Sequence, residues 1–463
     1  MKPIMKFRAN LNGQNYLEMA HESFCKIEDH RALSEIPLSD FLMSALAIFK
    51  LKMSTLLELD KHRKMDKVRA QNIKKVFKVK ERIPSDTHLR DVIDQIPYYL
   101  LRDPFKKIFN LLHREKVLAQ FKYSIPGIQD SLLTSMDGTG HFHSTKVNCE
   151  HCLIKKAKNK DEEDEIQFHH QMLGAAIVNP NKKTVIPFAP EPIFNDGGHF
   201  DKNDCENKAA KRMLWWIKDE HPGLPFVILG DALYGNRPML KEIKKKGWHC
   251  ILGIKPGTQK ILFEQLNDQK GVQVITHSDE IGEKVKKKRV RTYKYLNGAY
   301  FSEDSIARIN ILDFTETIEW ENKKGHQKNQ THFTWMTTID IEKDNIYQIM
   351  KAGRSRWKQE NEVFNTLKNQ GYNFEHNYGH GKKYLSTNLA IIMHLAFLMD
   401  QLEETFCEVF QKARESNRTK LNLWSSMQYC FDFVFCNSWQ QFLLVLTAKN
   451  AGIKAEFYLD NTG

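Results

Sequence analysis

Pro225-Phe-Val-Ile-Leu-Gly-Asp231-Ala-Leu-Tyr-Gly235 is the stretch whose reading decides the fold of this chain. Pro225 to Leu229 is an unbroken apolar run of strand length, which suits a strand covered on both faces. Asp204 to His221 before it carries a helical period, Arg237 to Lys246 after it does so again, and His249 to Ile254 is a second buried strand. Strands alternating with helices in this order imply an α/β sheet, and in such sheets ligands collect at the carboxyl ends of the strands. Asp231 stands at such an end.

Working outward, Ser131 to Met136, Met172 to Val178 and Thr184 to Phe188 have the period of strands and open the same sheet. Residues 258–332 are polar and turn-rich, with β-like runs at Arg289 to Phe301 and Ala307 to Ile318, and read as a β-rich insertion. Phe333 to Ile339 then resumes as a strand, Asn345 to Asn369 reads as one long helix ending before Gly371, and the chain from Asn388 onward is apolar helix. Residues up to about 125 are helical: Ser39 or Asp40 can cap a helix from Phe41, and Ser85 caps one through Asp94 after a break at Arg82, Ile83 and Pro84. Together with the basic segment before it, that last helix suggests a helix-turn-helix for a DNA major groove, the alternative being an ordinary helical hairpin. The expected organisation is a helical DNA-binding domain over 1–125, a catalytic α/β core over 126–257 and 333–405 split by the insertion over 258–332, and a helical region over 406–463.

The chain has 463 residues, of which 41 % are hydrophobic, enough for several cores, so disorder and fibrous classes are excluded. The longest apolar stretch, Phe41 to Leu59, contains Lys50 and Lys52, which argues for a buried helix and against a membrane span. No apolar leader follows Met1, and the eight cysteines do not pattern as a disulfide framework, so a reducing cytoplasm is the expected compartment. The net charge of +12 is concentrated in two places. Residues 61–80 carry Lys61, Arg63, Lys64, Lys67, Arg69, Lys74, Lys75, Lys78 and Lys80 against Asp66, a local +8. Residues 281–294 carry Lys284, Lys286, Lys287, Lys288, Arg289, Arg291 and Lys294 against Glu283, a local +6, which leaves −2 for the rest. Two such runs favour a phosphate backbone over a merely solvated surface.

Asp137, after Leu132 to Met136 and before Gly138, is the counterpart of Asp231, and the two are placed to meet across neighbouring strands, although an Asp in this position also commonly opens a turn. On the long helix Trp357, Val363, Phe364 and Leu367 define one face, with Glu360 near its centre and Glu362 pointing the opposite way. A buried carboxylate there demands a partner: Arg356 on the same side, or a metal. Three carboxylates from two strand ends and a helix suit Mg²⁺ or Mn²⁺, and two such ions about 4 Å apart would clamp an in-line phosphoryl displacement.

Asp137-Gly-Thr, Val227-Ile-Leu-Gly-Asp231-Ala-Leu-Tyr and Arg356-Trp-Lys-Gln-Glu360-Asn-Glu-Val-Phe-Asn-Thr-Leu-Lys368 together resemble the DDE transposases of bacterial insertion sequences. More narrowly, they look like the group with an RNase H-like core interrupted by a β-rich insertion before the Glu. Leu38-Ser-Asp-Phe-Leu-Met-Ser-Ala-Leu-Ala and Asn369-Gln-Gly-Tyr-Asn-Phe-Glu-His-Asn-Tyr-Gly-His-Gly extend the likeness over roughly residues 35–400. The resemblance implies an RNase H-like mixed sheet with helices on both faces, Asp137, Asp231 and Glu360 as the metal-binding triad, and Arg356 and Lys368 as DNA-backbone contacts. It further implies binding of double-stranded DNA at terminal inverted repeats, strand cleavage and transfer into target DNA with two Mg²⁺ ions, and a homodimer on DNA. The remaining DNA contacts are expected from Lys61, Arg63, Lys64, Lys67, Arg69, Lys74, Lys75 and Arg90, and from Lys286, Lys287, Lys288, Arg289 and Arg291 on the insertion. The chain departs from the family signature twice: Gly353 stands where a Tyr precedes the Arg, and Lys368 lies eight residues after Glu360 where seven is usual. The second departure keeps Glu362 open as an alternative third ligand.

Two other functions stay in view, a metal-dependent nuclease of the same fold that does not join strands, and a DNA-binding repressor with an unused core. Cys149 and Cys152 form a CxxC among His141, His143, His151, His169 and His170, half of a possible structural zinc site or else free thiols. Asp204-Cys-Glu206 at a helix start reads as capping and dipole chemistry.

Overall fold

The computed structural model describes residues 10–448 apart from 33, 66, 158–164, 196–203, 284, 302–307, 323–324 and 377, so Asp66, Lys284 and Ala307 lie outside the described residues. The strands are β1 (Leu132–Ser144), β2 (Leu153–Ala157), β3 (Glu165–Val178), β4 (Ile186–Pro187), β5 (Glu191–Ile193), β6 (Phe226–Gly230), β7 (His249–Gly253), β8 (Gln273–Ile281), β9 (Lys287–Tyr300), β10 (Arg308–Asn322) and β11 (Gly325–Thr337). Among the described residues they form one mixed sheet in the order β2-β3-β1-β6-β7-β11-β10-β9-β8, with β4 and β5 also pairing to β3.

The pairing follows from the side chains. All of β6 is buried, and it runs parallel to both β1 and β7, with the helices Glu206–Glu220 and Arg237–Lys245 making the crossovers. The connection is an α/β sheet, as the alternation of strand and helix implied. β1 pairs antiparallel with β3, and β7 antiparallel with β11. β8 to β11 form an antiparallel meander that continues the same sheet. In β11 this is visible within one strand: its first nine residues are exposed or half-exposed, and Thr334 to Thr337 are buried as it joins β7.

Three local expectations are corrected. β1 does not stop at Met136; it continues to Ser144 because β3 pairs with it along that length, so Asp137 is inside the strand. The first apolar helix is Leu38–Lys50 with Pro37 at its cap, while Ser39 and Asp40 fall in its first turn. Asp40 is buried and accepts hydrogen bonds from the backbone N–H groups of Lys80 and Glu81 at 3.1 and 2.9 Å, so the side chain is held by the following segment and not by its own helix end.

The helical part of the molecule packs around Leu385–Phe406. That helix is long and apolar enough to cross a bilayer, yet 94 % of its apolar window is buried inside the protein. Lys50, fully buried on Leu38–Lys50, reaches Asp400 Oδ1 at 2.5 Å and Glu403 Oε2 at 2.6 Å, and Lys52 reaches Asp400 Oδ2 at 2.7 Å. The two lysines in the longest apolar stretch are thus ion-paired inside the core.

Candidate active site

β1 and β6 are in register from Leu132 opposite Phe226 to Ser135 opposite Leu229. Two residues further on, the same offset puts Asp137 level with Asp231, just where β6 has ended at Gly230. Both carboxylates are half-buried, and the charge of Asp231 acts on Asp137. Burial pushes the Asp137 carboxyl above the usual carboxylate range, Arg356 opposes this, and Asp231 pushes it further up.

The Arg356 side chain explains the helix placement. Its Nη1 lies 2.8 Å from Asp137 Oδ2, and its backbone carbonyl accepts from Ser135 Oγ at 2.8 Å. Arg356 is therefore not the partner of Glu360; it spans from helix to strand. Asn345 to Asn369 is not one regular helix. An α-helix over Ile346–Arg354 passes through a 3₁₀ turn at Ser355–Trp357 and a π-helix at Gln359–Phe364 before α-geometry returns at Asn365–Asn369. The 3₁₀ turn overwinds and the π turn underwinds, so the 100° wheel used to place Glu360 at the centre of a buried face does not apply. Glu360 is exposed, as is Trp357, whereas Val363, Phe364 and Leu367 are buried. One residue earlier, Gln359 takes the inward position, fully buried and with neither amide atom hydrogen-bonded among the described residues. Glu360 sits about one turn beyond Arg356, while the charge of Glu362 acts on Lys358.

The π turn also accounts for the long spacing to Lys368, since it takes up the one residue in excess. Lys368 pairs with Glu375 at 2.7 Å. Gly353, the other departure, leaves room for an indole: a Cβ there would lie 2.8 Å from Trp335 Cε2. Close approach of the π turn to the sheet depends on Gly174, the register partner of Asp137, where a Cβ would lie 2.4 Å from Gln359 Nε2 and 2.8 Å from Phe364.

Glu206 is the carboxylate that the sequence reading assigned to capping and that the fold puts beside Asp137. Cys205 is the cap of its helix, and the Glu206 carboxylate lies over Gly138, where a Cβ would be 2.4 Å from its Cδ. Tyr234 donates to Glu206 Oε2 at 3.0 Å. Burial raises the Glu206 pKa, the Tyr234 hydrogen bond opposes it, and the charges of Asp137 and Asp231 add to the rise. The signal was available: Tyr234 follows Asp231 by three residues, but only the tertiary fold brings the helix over it. The donors are carboxylate oxygens, and even with the Arg356 guanidinium beside Asp137 they keep an excess of negative charge, which fits a hard divalent cation.

A cleft of about 260 Å³ opens on the same helix. It is lined by Arg354 and Lys358 from the helical segment and by Arg289 and Arg291 from the insertion, with Tyr347 and Trp357 as exposed aromatic walls. Arg289 and Arg291 both contact Asp279 on β8. Of their neighbours, Lys288 is exposed, Lys286 is exposed near Glu280, and Lys287 lies over Trp320 at 4.7 Å. In the amino-terminal run Lys61, Lys67 and Lys75 are exposed and Lys74 donates to the Glu81 carbonyl. Arg63 and Lys64 pair with Asp60, and Arg90 pairs with Asp86. Arg69 is 2 % exposed and pairs with Asp432 at 2.9 Å, so it is a core ion pair and not a surface cation for DNA. The helix Asp86–Asp94 packs on Leu38–Lys50 and Leu385–Phe406 through Leu89, Val92 and Ile93.

Cys149 and Cys152 are brought together with His170 and, unforeseen, with His380 from the loop before Leu385. His141, His143, His151 and His169 are not members of that group.

Comparison with known proteins adds one match, and no curated protein matches the chain. The match is to the transposase DDE domain, over residues 140–398. It includes Asp231 and Glu360 and begins three residues after Asp137. Since it spans more than half of the chain and takes in the sheet, the insertion and the helix above the carboxylates, this protein belongs to the DDE transposases of insertion-sequence type.

Proposed function

We propose that this chain binds the terminal inverted repeats of its element and cuts and joins DNA strands at a site built from Asp137, Asp231 and Glu360. The family acts on DNA by nuclease and transesterification chemistry and uses divalent metal ions. The observation that carries the reading is the matched register of Asp137 and Asp231 on adjacent parallel strands, beneath a helix tied to Asp137 through Arg356. The order β3-β1-β6-β7, antiparallel then parallel, supports an RNase H-like core.

Asp137 and Asp231 would hold Mg²⁺ from the sheet, with Glu360 supplying an oxygen from the helix, and Mn²⁺ suits the same donors. Two bound ions supply Lewis-acid activation of the attacking oxygen and charge stabilisation of the leaving one. Arg356 opposes the rise of the Asp137 pKa and aims its carboxylate, and its remaining N–H donors are available to a phosphate oxygen. Tyr234 holds Glu206 in place beside the pair. The cleft between the insertion and the helix, with Arg289, Arg291, Arg354 and Lys358, carries the DNA backbone toward the carboxylates, and exposed lysines at Lys61, Lys67, Lys75, Lys286 and Lys288 extend the electrostatic track. Two transposon ends must be held at once, so a homodimer on DNA is part of the proposal.

The test is cleavage of end DNA with Mg²⁺, followed by strand transfer into a target plasmid. Asp137→Ala, Asp231→Ala or Glu360→Ala should abolish both while leaving end binding in place; undiminished cutting by Glu360→Ala overturns the triad. Cutting without joining would indicate the nuclease alternative, and binding without any metal-supported cutting the repressor.

A further inference from the structure

The CxxC knuckle between β1 and β2 forms half of a four-donor cluster that no part of strand transfer uses. Cys149 Sγ and Cys152 Sγ are 3.8 Å apart, which is too far for a disulfide bond. His170 on β3 brings Nε2 to 3.3 Å from Cys149 Sγ and 3.5 Å from Cys152 Sγ. His380 brings its Nε2 to 3.4 Å from Cys152 Sγ and 3.1 Å from the Nε2 of His170. All four donor atoms lie within 4.8 Å of one another.

These separations are the edges of one tetrahedron. With Zn–S near 2.3 Å and Zn–N near 2.05 Å, a tetrahedral ion requires S···S about 3.8 Å, S···N about 3.5 Å and N···N about 3.3 Å. Five of the six edges, at 3.8, 3.3 to 3.5 and 3.1 Å, agree with these values, and the sixth, Cys149 to His380, lies within 4.8 Å. Octahedral Mg²⁺ would neither choose thiolates nor accept this geometry.

The surroundings are arranged for ligation. Cys152 and His170 are each 2 % exposed and His380 6 %, while Cys149 is half-buried, so three of the four donors are withdrawn from water. His380 Nδ1 lies 2.9 Å from the Gly381 carbonyl and donates to it, which leaves the Nε2 lone pair facing the cluster. The Cys149 N–H points at Cys152 Sγ at 3.4 Å, and the Cys152 carbonyl accepts from Asn195 at 2.9 Å, fixing the knuckle. The loop carrying His380 is itself clamped: Asp94 accepts from the backbone N–H groups of Lys382, Lys383 and Leu385 at 2.9, 3.0 and 2.9 Å. Gly381 has φ +70° and no room for a Cβ beside Asp94.

We propose that Cys149, Cys152, His170 and His380 bind one structural zinc ion that staples the β1–β2 connection and β3 to the loop between the Glu360 helix and Leu385–Phe406. Four protein ligands complete the tetrahedron, so no position is left for substrate and the role is to hold, not to react. Because His380 lies 210 residues from His170, the ion ties the catalytic sheet to the helical part that Asp94 belongs to.

The experiment is metal analysis of the full chain purified under reducing conditions without chelator. One zinc per chain is expected, retained in Asp137→Ala and Asp231→Ala, and reduced below a tenth in Cys149→Ser with His380→Ala. Retention in the aspartate variants separates this site from the proposed catalytic ions. Cobalt added to the metal-free wild-type chain should give intense tetrahedral d–d bands with thiolate charge transfer, a readout that needs no variant to fold. Absence of zinc in the purified chain together with an octahedral or silent cobalt spectrum would overturn the proposal, as would full zinc retention in a folded Cys149→Ser/His380→Ala chain.

Discussion

Arg356 Nη1 and Asp137 Oδ2 are 2.8 Å apart, joining the helix that carries Glu360 to the strand that carries the first carboxylate. The guanidinium holds the Asp137 pKa down against burial and against Asp231. Arg356→Ala removes the opposing charge, so the Asp137 pKa rises further and its ionised form is reached only at higher pH. The acid limb of Mg²⁺-dependent cleavage should move to higher pH, with a rate loss of at least 10²-fold at neutral pH. Arg356→Lys should recover part of the limb but little of the rate, because a point charge does not replace the fork. A pH–rate profile of end cleavage is the measurement, and an unmoved limb would refute the coupling.

In the proposed triad Glu360 is the third ligand, and Glu206 is the other carboxylate beside the two aspartates. Glu206 lies over Gly138 and feels both aspartates, whereas Glu360 is exposed one turn past Arg356. Glu360→Gln is expected to abolish cleavage, and Glu206→Gln to slow it by roughly ten- to a hundredfold, the range typical of a residue that supports a ligand. The reverse ranking in single-turnover cleavage would reassign the triad to Glu206.

Gly174 lets the π turn reach the sheet opposite Asp137. Gly174→Ala should drive Gln359 and Phe364 outward and displace Glu360 with them, costing on the order of 10²-fold in cleavage for a misplacement near 1 Å. End binding, which rests on other surfaces, should hold within a few-fold by gel shift.

The exposed lysines that flank the cleft on the insertion should register in salt dependence. Replacing Lys286 and Lys288 with Ala is expected to flatten the slope of log K against log salt by about 0.9 for each phosphate that is no longer neutralised. Arg69→Ala should leave that slope unchanged and lower the melting temperature instead, because Arg69 is buried against Asp432. Salt titrations of end binding and thermal melts separate the two.

Acid should destabilise the fold through His221, which is buried against Phe109 and Phe188 and has its pKa pushed down to about 4 by burial and by the nearby Lys106 and His113 charges. The unfolded chain takes up this proton near pH 6.5 and the folded chain only near 4, so stability present above 6.5 is lost as pH falls through that window. His221→Gln should flatten the decline of melting temperature between those limits.

Much of the fold was legible because it depends on local pattern. The apolar runs at Pro225 to Leu229 and His249 to Ile254 read as buried strands, and the helix between them and the one before them followed from period. Ser85 was recognisable as a cap and accepts from the His88 N–H. The length of β1 was not legible, since pairing along β3 carries it past Asp137. The exposure of Glu360 was not legible either, because a helical wheel assumes one winding and this segment has three. Trp335 fills the space at Gly353 and Gln359 crowds Gly174, contacts between the helix and the sheet that a helical wheel does not contain.

By itself the sequence determined the residue types: which acids follow strand-like runs, where the positive charge is concentrated, and that a CxxC pair lies in a histidine-rich neighbourhood. These follow from side-chain chemistry and from periodicity within a segment. The tertiary structure alone decided the pairings. It set Asp137 level with Asp231, gave Arg356 to Asp137, drew Arg69 inward, put Glu206 over Gly138 and added His380 to the two cysteines and His170. Register and packing of distant segments choose those partners, and neither leaves a periodic trace along the chain.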